Sequence, residues 1–230
     1  MSDQDIVFDA KQPPEQNQDG AYARERVKSE EWRIDKYTTR NPLRHQAEMA
    51  LVQRAFPQLP KGAPVLDAPC GAGRVSLWMA QQGWDVSAMD LGAAAVAYTN
   101  EMIAGQGLNV SAREGNIFDM PWSDQHFRAV ICFRLMHHFA DRDIRRQLVQ
   151  ELARVSGEHL LISYLSPWSA TGIKRRLRQL FTGKRNRQNH TALAELVEDL
   201  REVGFALMHD TPQRRFFHSL HLARFIRVDR

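Results

Sequence analysis

No stretch of this chain is apolar for long enough to cross a bilayer, which takes about 20 residues of helix. The opening segment, MSDQDIVFDAKQPPEQNQDG, lacks the apolar core of a secretory signal. Cysteine is scarce as well. Cys70 and Cys132 are the only two in 230 residues, too few for a disulfide framework and in keeping with a reducing compartment. These absences point to the cytoplasm. The most local absence is of acid: no Asp or Glu lies between Glu158 and Glu195, while seven Lys or Arg crowd into Lys174–Arg187. The net charge of +4 hides that asymmetry.

The ordinary share of apolar residues, 43%, suits a soluble globular chain. Residues 1–20 read as a disordered tail, because Pro13, Pro14 and a run of Gln, Asn and Asp cannot build a core. Helices are expected over Tyr22–Asp35 and Leu43–Phe56, making a helical cap over residues 21–60. After Pro64 short apolar runs alternate with helical segments. The expected strands are Val65–Asp67, Trp84–Met89, Val110–Glu114, Ala129–Phe133, His159–Leu165, Ala206–Asp210 and Leu220–Val228. The expected helices between them are Val75–Gln82, Gly92–Gly105, Ile144–Val155 and Thr191–Gly204, the last capped by Thr191. This rhythm implies an α/β fold, a mostly parallel seven-stranded sheet covered by helices. The last two strands have no helix between them, so the final strand is expected to run antiparallel.

The stretch VLDAPCGAGRVS carries the sharpest signal. A strand ending at Asp67 turns through Gly71 and Gly73 at the edge where parallel sheets bind ligands. Glycine lets the backbone approach a ligand closely. The next strand ends at Asp90, whose carboxylate suits a ribose diol. A dinucleotide fingerprint needs a third glycine, and Ser76 stands there instead. The carboxylate of Asp67 disfavours a pyrophosphate and favours a cationic ligand. No Gly-Lys-Ser/Thr follows, which removes the P-loop alternative.

Together with VSAMD and REGNIFDMPWSDQHFRAVICFRLMHHF, this stretch resembles the class I S-adenosylmethionine-dependent methyltransferases, over roughly Leu43–Arg227. The resemblance implies a Rossmann-like fold over residues 61–230 with S-adenosyl-L-methionine as cofactor. It places Asp67, Ala68, Pro69, Cys70, Gly71 and Gly73 at the methionine part of that cofactor. Asp90 is placed at the ribose, Leu91, Asn116 and Ile117 at the adenine, and Arg134–Met136 at the methionine and the transferred methyl. Pro69 departs from the family pattern, which usually has glycine there, and is expected to stiffen the loop. Asn116 stands where the family often has Asp.

Methyl transfer from a sulfonium by in-line displacement asks the protein chiefly for orientation. A base is needed only where the acceptor must lose a proton, and His137 and His138 are the candidates. Tyr22, Tyr37, Met136 and Trp168 are candidates for binding the acceptor. RLMH replaces the N/D-P-P-Y/F motif of nucleic-acid amino-methyltransferases, so nucleic acid is disfavoured as the acceptor. No metal site is expected. The basic insert over about 166–190 sets Ile173, Leu177, Leu180 and Phe181 on one face of a short helix. It reads as a solvated helix, a lid over an anionic or lipid-like acceptor, a peripheral contact with an anionic membrane through Lys174–Arg187, or a contact with nucleic-acid phosphates, the last disfavoured by the few aromatics among its charges. The competing functions are an NAD- or nucleotide-sugar-dependent oxidoreductase and a catalytically silent cofactor-binding partner protein.

Overall fold

The computed structural model describes residues 41–108, 110–169, 189–214 and 218–228. The expected tail, the helix over Tyr22–Asp35, the acceptor candidates Tyr22 and Tyr37, and the basic run Lys174–Arg187 lie outside the described residues.

The first described helix, α1, spans Pro42–Ala55. Asn41 caps it, its side chain accepting from the N–H groups of Leu43 and Arg44, and Pro42 fits the first turn, where no N–H is needed. Strand β1 (Pro64–Asp67) leads into α2 (Arg74–Gln81), and β2 (Asp85–Asp90) into α3 (Ala93–Ala104). Strands β3 (Val110–Glu114) and β4 (Phe127–Cys132) follow, then a single 3-10 turn at Met136–His138. Helix α4 (Arg142–Val155), capped by Asp141, runs without a loop into β5 (Ser156–Leu165). The chain closes with α5 (Leu193–Glu202), β6 (Phe205–Pro212) and β7 (Leu220–Arg227).

The seven strands form one sheet in the order β3-β2-β1-β4-β5-β7-β6. All pairings from β3 to β5 are parallel. Strand β7 lies between β5 and β6 and is antiparallel to both. The expected antiparallel final strand is therefore present. The strand order reverses between β1 and β4, and it is at such a switch point that open α/β sheets bind ligands.

Each face of the sheet carries its own core. One joins Val130, Leu160 and Ile162 to Leu148 and Leu152 of α4 and Leu196 and Leu200 of α5. The other joins Val65, Ile131 and Leu161 to Leu51 and Val52 of α1 and Met79 of α2. Central strands buried on both faces read as continuous apolar runs, which is why their positions were legible. Phe56 stacks on Trp84 at 4.9 Å and meets Trp78 edge-on at 5.4 Å, anchoring the connection between α1 and β1.

Two local expectations are corrected. The last helix begins at Leu193 with Ala192 as its cap; Thr191 does not cap it. The N–H of Thr191 instead donates to Leu165 O at 3.0 Å, so the residue continues the edge of β5. Strand β5 starts at Ser156, ahead of its apolar run at His159. Gly157 permits this: a Cβ there would lie 3.0 Å from Gln125 O and 3.2 Å from Phe127 O.

Candidate functional site

The turn after β1 is held by backbone hydrogen bonds that need no particular side chain. Ala68 N–H donates to Ile131 O, Cys70 N–H to Met89 O and Gly73 N–H to Cys70 O, at 2.8–3.0 Å. Gly71 and Gly73 have positive φ, 56° and 67°. At Gly73 the requirement for glycine is also steric: a Cβ would sit 2.6 Å from Thr99 Cγ2. Thr99 in turn donates from Oγ1 to Gly71 O at 3.1 Å, tying α3 to the turn. The Ala68–Pro69 peptide bond is cis.

Asp90 ends β2 and staples two loops. Its Oδ2 accepts from Gly71 N–H at 2.8 Å and its Oδ1 from Gly92 N–H at 3.0 Å. Each carboxylate oxygen has capacity for a second donor, so a ribose diol can still be accepted. Leu91 follows at the same edge. Gly115 N–H donates to Asp90 O at 3.0 Å and brings the loop after β3 alongside. A Cβ at Gly115 would meet Met89 Sδ at 2.5 Å. Asn116 spends its Oδ1 on Phe118 N–H at 3.1 Å, closing its own turn, while Ile117 packs on the core. Arg154 of α4 fixes the rest of this loop, donating to Met120 O at 2.9 Å and Trp122 O at 2.7 Å. Glu151 accepts from Met120 N–H at 2.6 Å.

Asp67 lies beneath the turn, 1% exposed. Its Oδ2 accepts from Ser76 Oγ at 2.6 Å, and its Oδ1 is buried with no hydrogen-bond partner. Burial pushes its carboxyl up to about 7, against the opposing pull of the Ser76 hydrogen bonds and the Arg74 guanidinium. Burial also raises the thiols of Cys70 and Cys132 far above the usual range.

Beyond β4, Arg134 takes a left-handed backbone, φ 65°, with its N–H on Ser163 Oγ at 2.5 Å. Its guanidinium meets Glu48 Oε1 at 3.0 Å. Met136 and His137 are each 1% exposed, Met136 within the core beside α4. The His137 carbonyl accepts from Asn189 N–H at 2.8 Å, and the two histidine rings lie 4.2 Å apart. His138 is partly exposed, so of the pair it is the ring nearer solvent. Trp168 is 75% exposed, at the start of the insert.

The fold thus gathers Asp67–Gly73, Asp90, Leu91, Asn116, Ile117 and Arg134 along one sheet edge. Sequence reasoning missed Glu48, Arg74, Thr99 and Ser163, which hold that edge from helices and a neighbouring strand. A carboxylate beside the apolar Ala47, Met49 and Ala50 is the one signal that marked Glu48.

A sulfonium nucleoside fits this donor set. The buried Asp67 oxygen lacks a partner, and Asp90 keeps capacity for a diol. Among the described residues there is no group of three His, Cys, Asp or Glu able to hold a metal ion.

Residues 65–158 match the family model described as a methyltransferase domain. The chain is 40% identical over 60 residues to the ribosomal RNA small subunit methyltransferase C of Alcanivorax borkumensis, covering 26% of this chain and 18% of that protein. It is 29% identical over 155 residues to the ubiquinone biosynthesis O-methyltransferase of Xanthomonas axonopodis pv. citri, covering 64% of each. Both matches fall short of two thirds of the relative's length. Among solved structures, the magnesium protoporphyrin IX methyltransferase of Synechocystis PCC 6803 with bound S-adenosylhomocysteine superposes with a TM-score of 0.63 at 16% identity, covering 84% of this chain and 97% of that one. Residues 65–158, which build the glycine turn and the strand-order switch point, are thus similar to a methyltransferase domain.

Proposed function

We propose that the chain methylates a small-molecule acceptor, with S-adenosylmethionine as donor. One observation carries this reading. At the β1/β4 switch point, a glycine turn stapled by Asp90 lies over a buried carboxylate with an open oxygen. S-adenosylmethionine supplies an already activated methyl group on a cationic sulfur. The protein's part is then to hold, orient and exclude water. Asp90 takes the ribose hydroxyls, the loop at Asn116 and Ile117 borders the adenine, and Asp67 supplies negative charge under the amino-acid end. His138, the partly exposed ring of the pair, is assigned to accept a proton from an acidic acceptor group.

A small molecule is preferred over nucleic acid on two grounds. The likeness to the ubiquinone-biosynthesis enzyme runs over 155 residues and that to the ribosomal RNA enzyme over 60. RLMH also occupies the segment after β4. Isothermal titration with S-adenosylhomocysteine and NAD, followed by mass spectrometry of a metabolite and lipid extract incubated with the donor, tests the reading. We expect S-adenosylhomocysteine to bind, NAD to fail, and a product one methylene heavier to appear. Tight NAD binding alone would overturn the assignment. Cofactor binding without turnover on any acceptor would favour a silent partner protein.

The finer proposal is a lipid-like acceptor taken from an anionic membrane face. The seven basic residues within Lys174–Arg187 support it, together with exposed Trp168 at the head of the segment. No helix among the described residues is long and apolar enough to cross a membrane, so the contact would be peripheral. In co-sedimentation with anionic vesicles the wild type should pellet, and charge reversal at Arg175 and Arg176 should release it. Wild-type protein left in the supernatant would refute the contact.

A further inference from the structure

Helix α1 puts one acidic side chain where its neighbours are apolar. Glu48 is 1% exposed, on the side of α1 that packs against the sheet. Its carboxylate meets three guanidiniums: Arg44 at 3.2 Å, Arg74 at 2.5 Å and Arg134 at 3.0 Å. Arg44 belongs to the same helix and is half-exposed. The other two come from the ligand edge. Arg74 is the first residue of α2, directly after the glycine turn, and its guanidinium lies 5.6 Å over the Phe133 ring. Arg134 follows Phe133. Glu48 therefore ties the loop after β1 to the loop after β4 across the switch point.

Two features are at odds with a purely structural ion cluster. Arg74 Nη1 is buried and donates to no acceptor, although a buried donor is rarely left open. Arg134 keeps a left-handed backbone, unusual for a residue with a Cβ, with its N–H fixed by Ser163. Strain and an open buried donor at the same place suit an anion. A planar carboxylate suits paired guanidinium forks.

We propose that Glu48 is a positioning residue, holding Arg74 and Arg134 together as the receptor for the carboxylate at the amino-acid end of the cofactor. This rests on the cofactor reading above. Without the buried counter-charge the two guanidiniums repel each other and turn toward solvent. Glu48 also places the receptor under the control of α1, so seating that helix and gripping the cofactor's tail become one event.

The test compares two probes that share an adenosine thioether. S-adenosylhomocysteine carries the amino-acid end, and 5′-methylthioadenosine lacks it. In Glu48→Gln we expect affinity for S-adenosylhomocysteine to fall about 10-fold or more, with methylthioadenosine held within about 2-fold. Arg134→Met should show the same selective loss, and it decides the matter if Glu48→Gln fails to fold. Equal losses for both probes, no loss, or a gain for S-adenosylhomocysteine would overturn the proposal. Wild-type protein that binds neither probe would overturn the cofactor reading itself.

Discussion

Replacing Asp90 with alanine is expected to weaken cofactor binding by about 100-fold or more, for S-adenosylhomocysteine and methylthioadenosine alike in direction. The estimate follows from hydrogen bonds to a charged acceptor, each contributing about 1.5–3 kcal/mol. Two such bonds to the ribose are lost together. The same substitution also strips the acceptor from Gly71 N–H and Gly92 N–H, so the glycine turn and the start of α3 come apart. Asp90→Asn retains one acceptor oxygen and should fall between the alanine variant and the wild type. Titration calorimetry on the two probes checks this. Lost affinity for methylthioadenosine is the signature, because Asp90 serves the adenosine end that both probes share, whereas Glu48 serves the end that only one of them has. A loss under about 3-fold in Asp90→Ala would place the ribose elsewhere.

The second large effect concerns pH. Asp67 has its carboxyl raised from 3.8 to about 7 by burial. For an acid shifted in that direction, the folded state keeps its proton after the unfolded state has lost it. Raising the pH from about 4 to about 7 therefore drives the ligand-free protein toward unfolding, and above about 7 the effect levels off. With roughly three pKa units involved, the loss approaches about 4 kcal/mol. Asp67→Asn keeps the shape and removes the titration. Urea midpoints measured between pH 5 and pH 8 should decline steeply for the wild type and less so for Asp67→Asn. Parallel slopes for the two proteins would show that Asp67 is already ionised in the fold. A cation bound near the open oxygen favours the ionised form, so cofactor uptake near pH 6.5 should release a proton.

How far the sequence revealed this site depended on how local each feature was. The turn at Asp67–Gly73 and the carboxylate of Asp90 were legible because a strand, a turn and a helix follow each other within a few residues. The paired apolar runs of the central strands were legible because burial on both faces leaves no polar alternation. Glu48 was not legible as a site residue. Its partner Arg134 is 86 residues away, and only the strand order brings them together. Thr191 misled because its residue type suits a cap, while the backbone there is recruited to the edge of β5. Ser156–Glu158 misled in the other direction, since extended structure there comes from the room that Gly157 leaves beside Gln125 and Phe127, and no apolar pattern announces it. His137 and His138 look equivalent in the sequence, and the single 3-10 turn separates them into an inner ring and an outer one.

The two cysteines began as a sign of what the chain lacks. Their positions give them a further meaning. Cys70 sits inside the turn that Asp90 closes, and Cys132 ends the central strand beside it. Both thiols are buried, and burial suppresses the thiolate that oxidants and alkylating reagents attack. Their reactivity is therefore gated by opening of the protein, and the two gates differ. Cys70 answers to the loop that admits the cofactor, and Cys132 to the loss of the sheet. The chain thus carries two internal clocks, one timing the breathing of its binding turn and the other the survival of its fold.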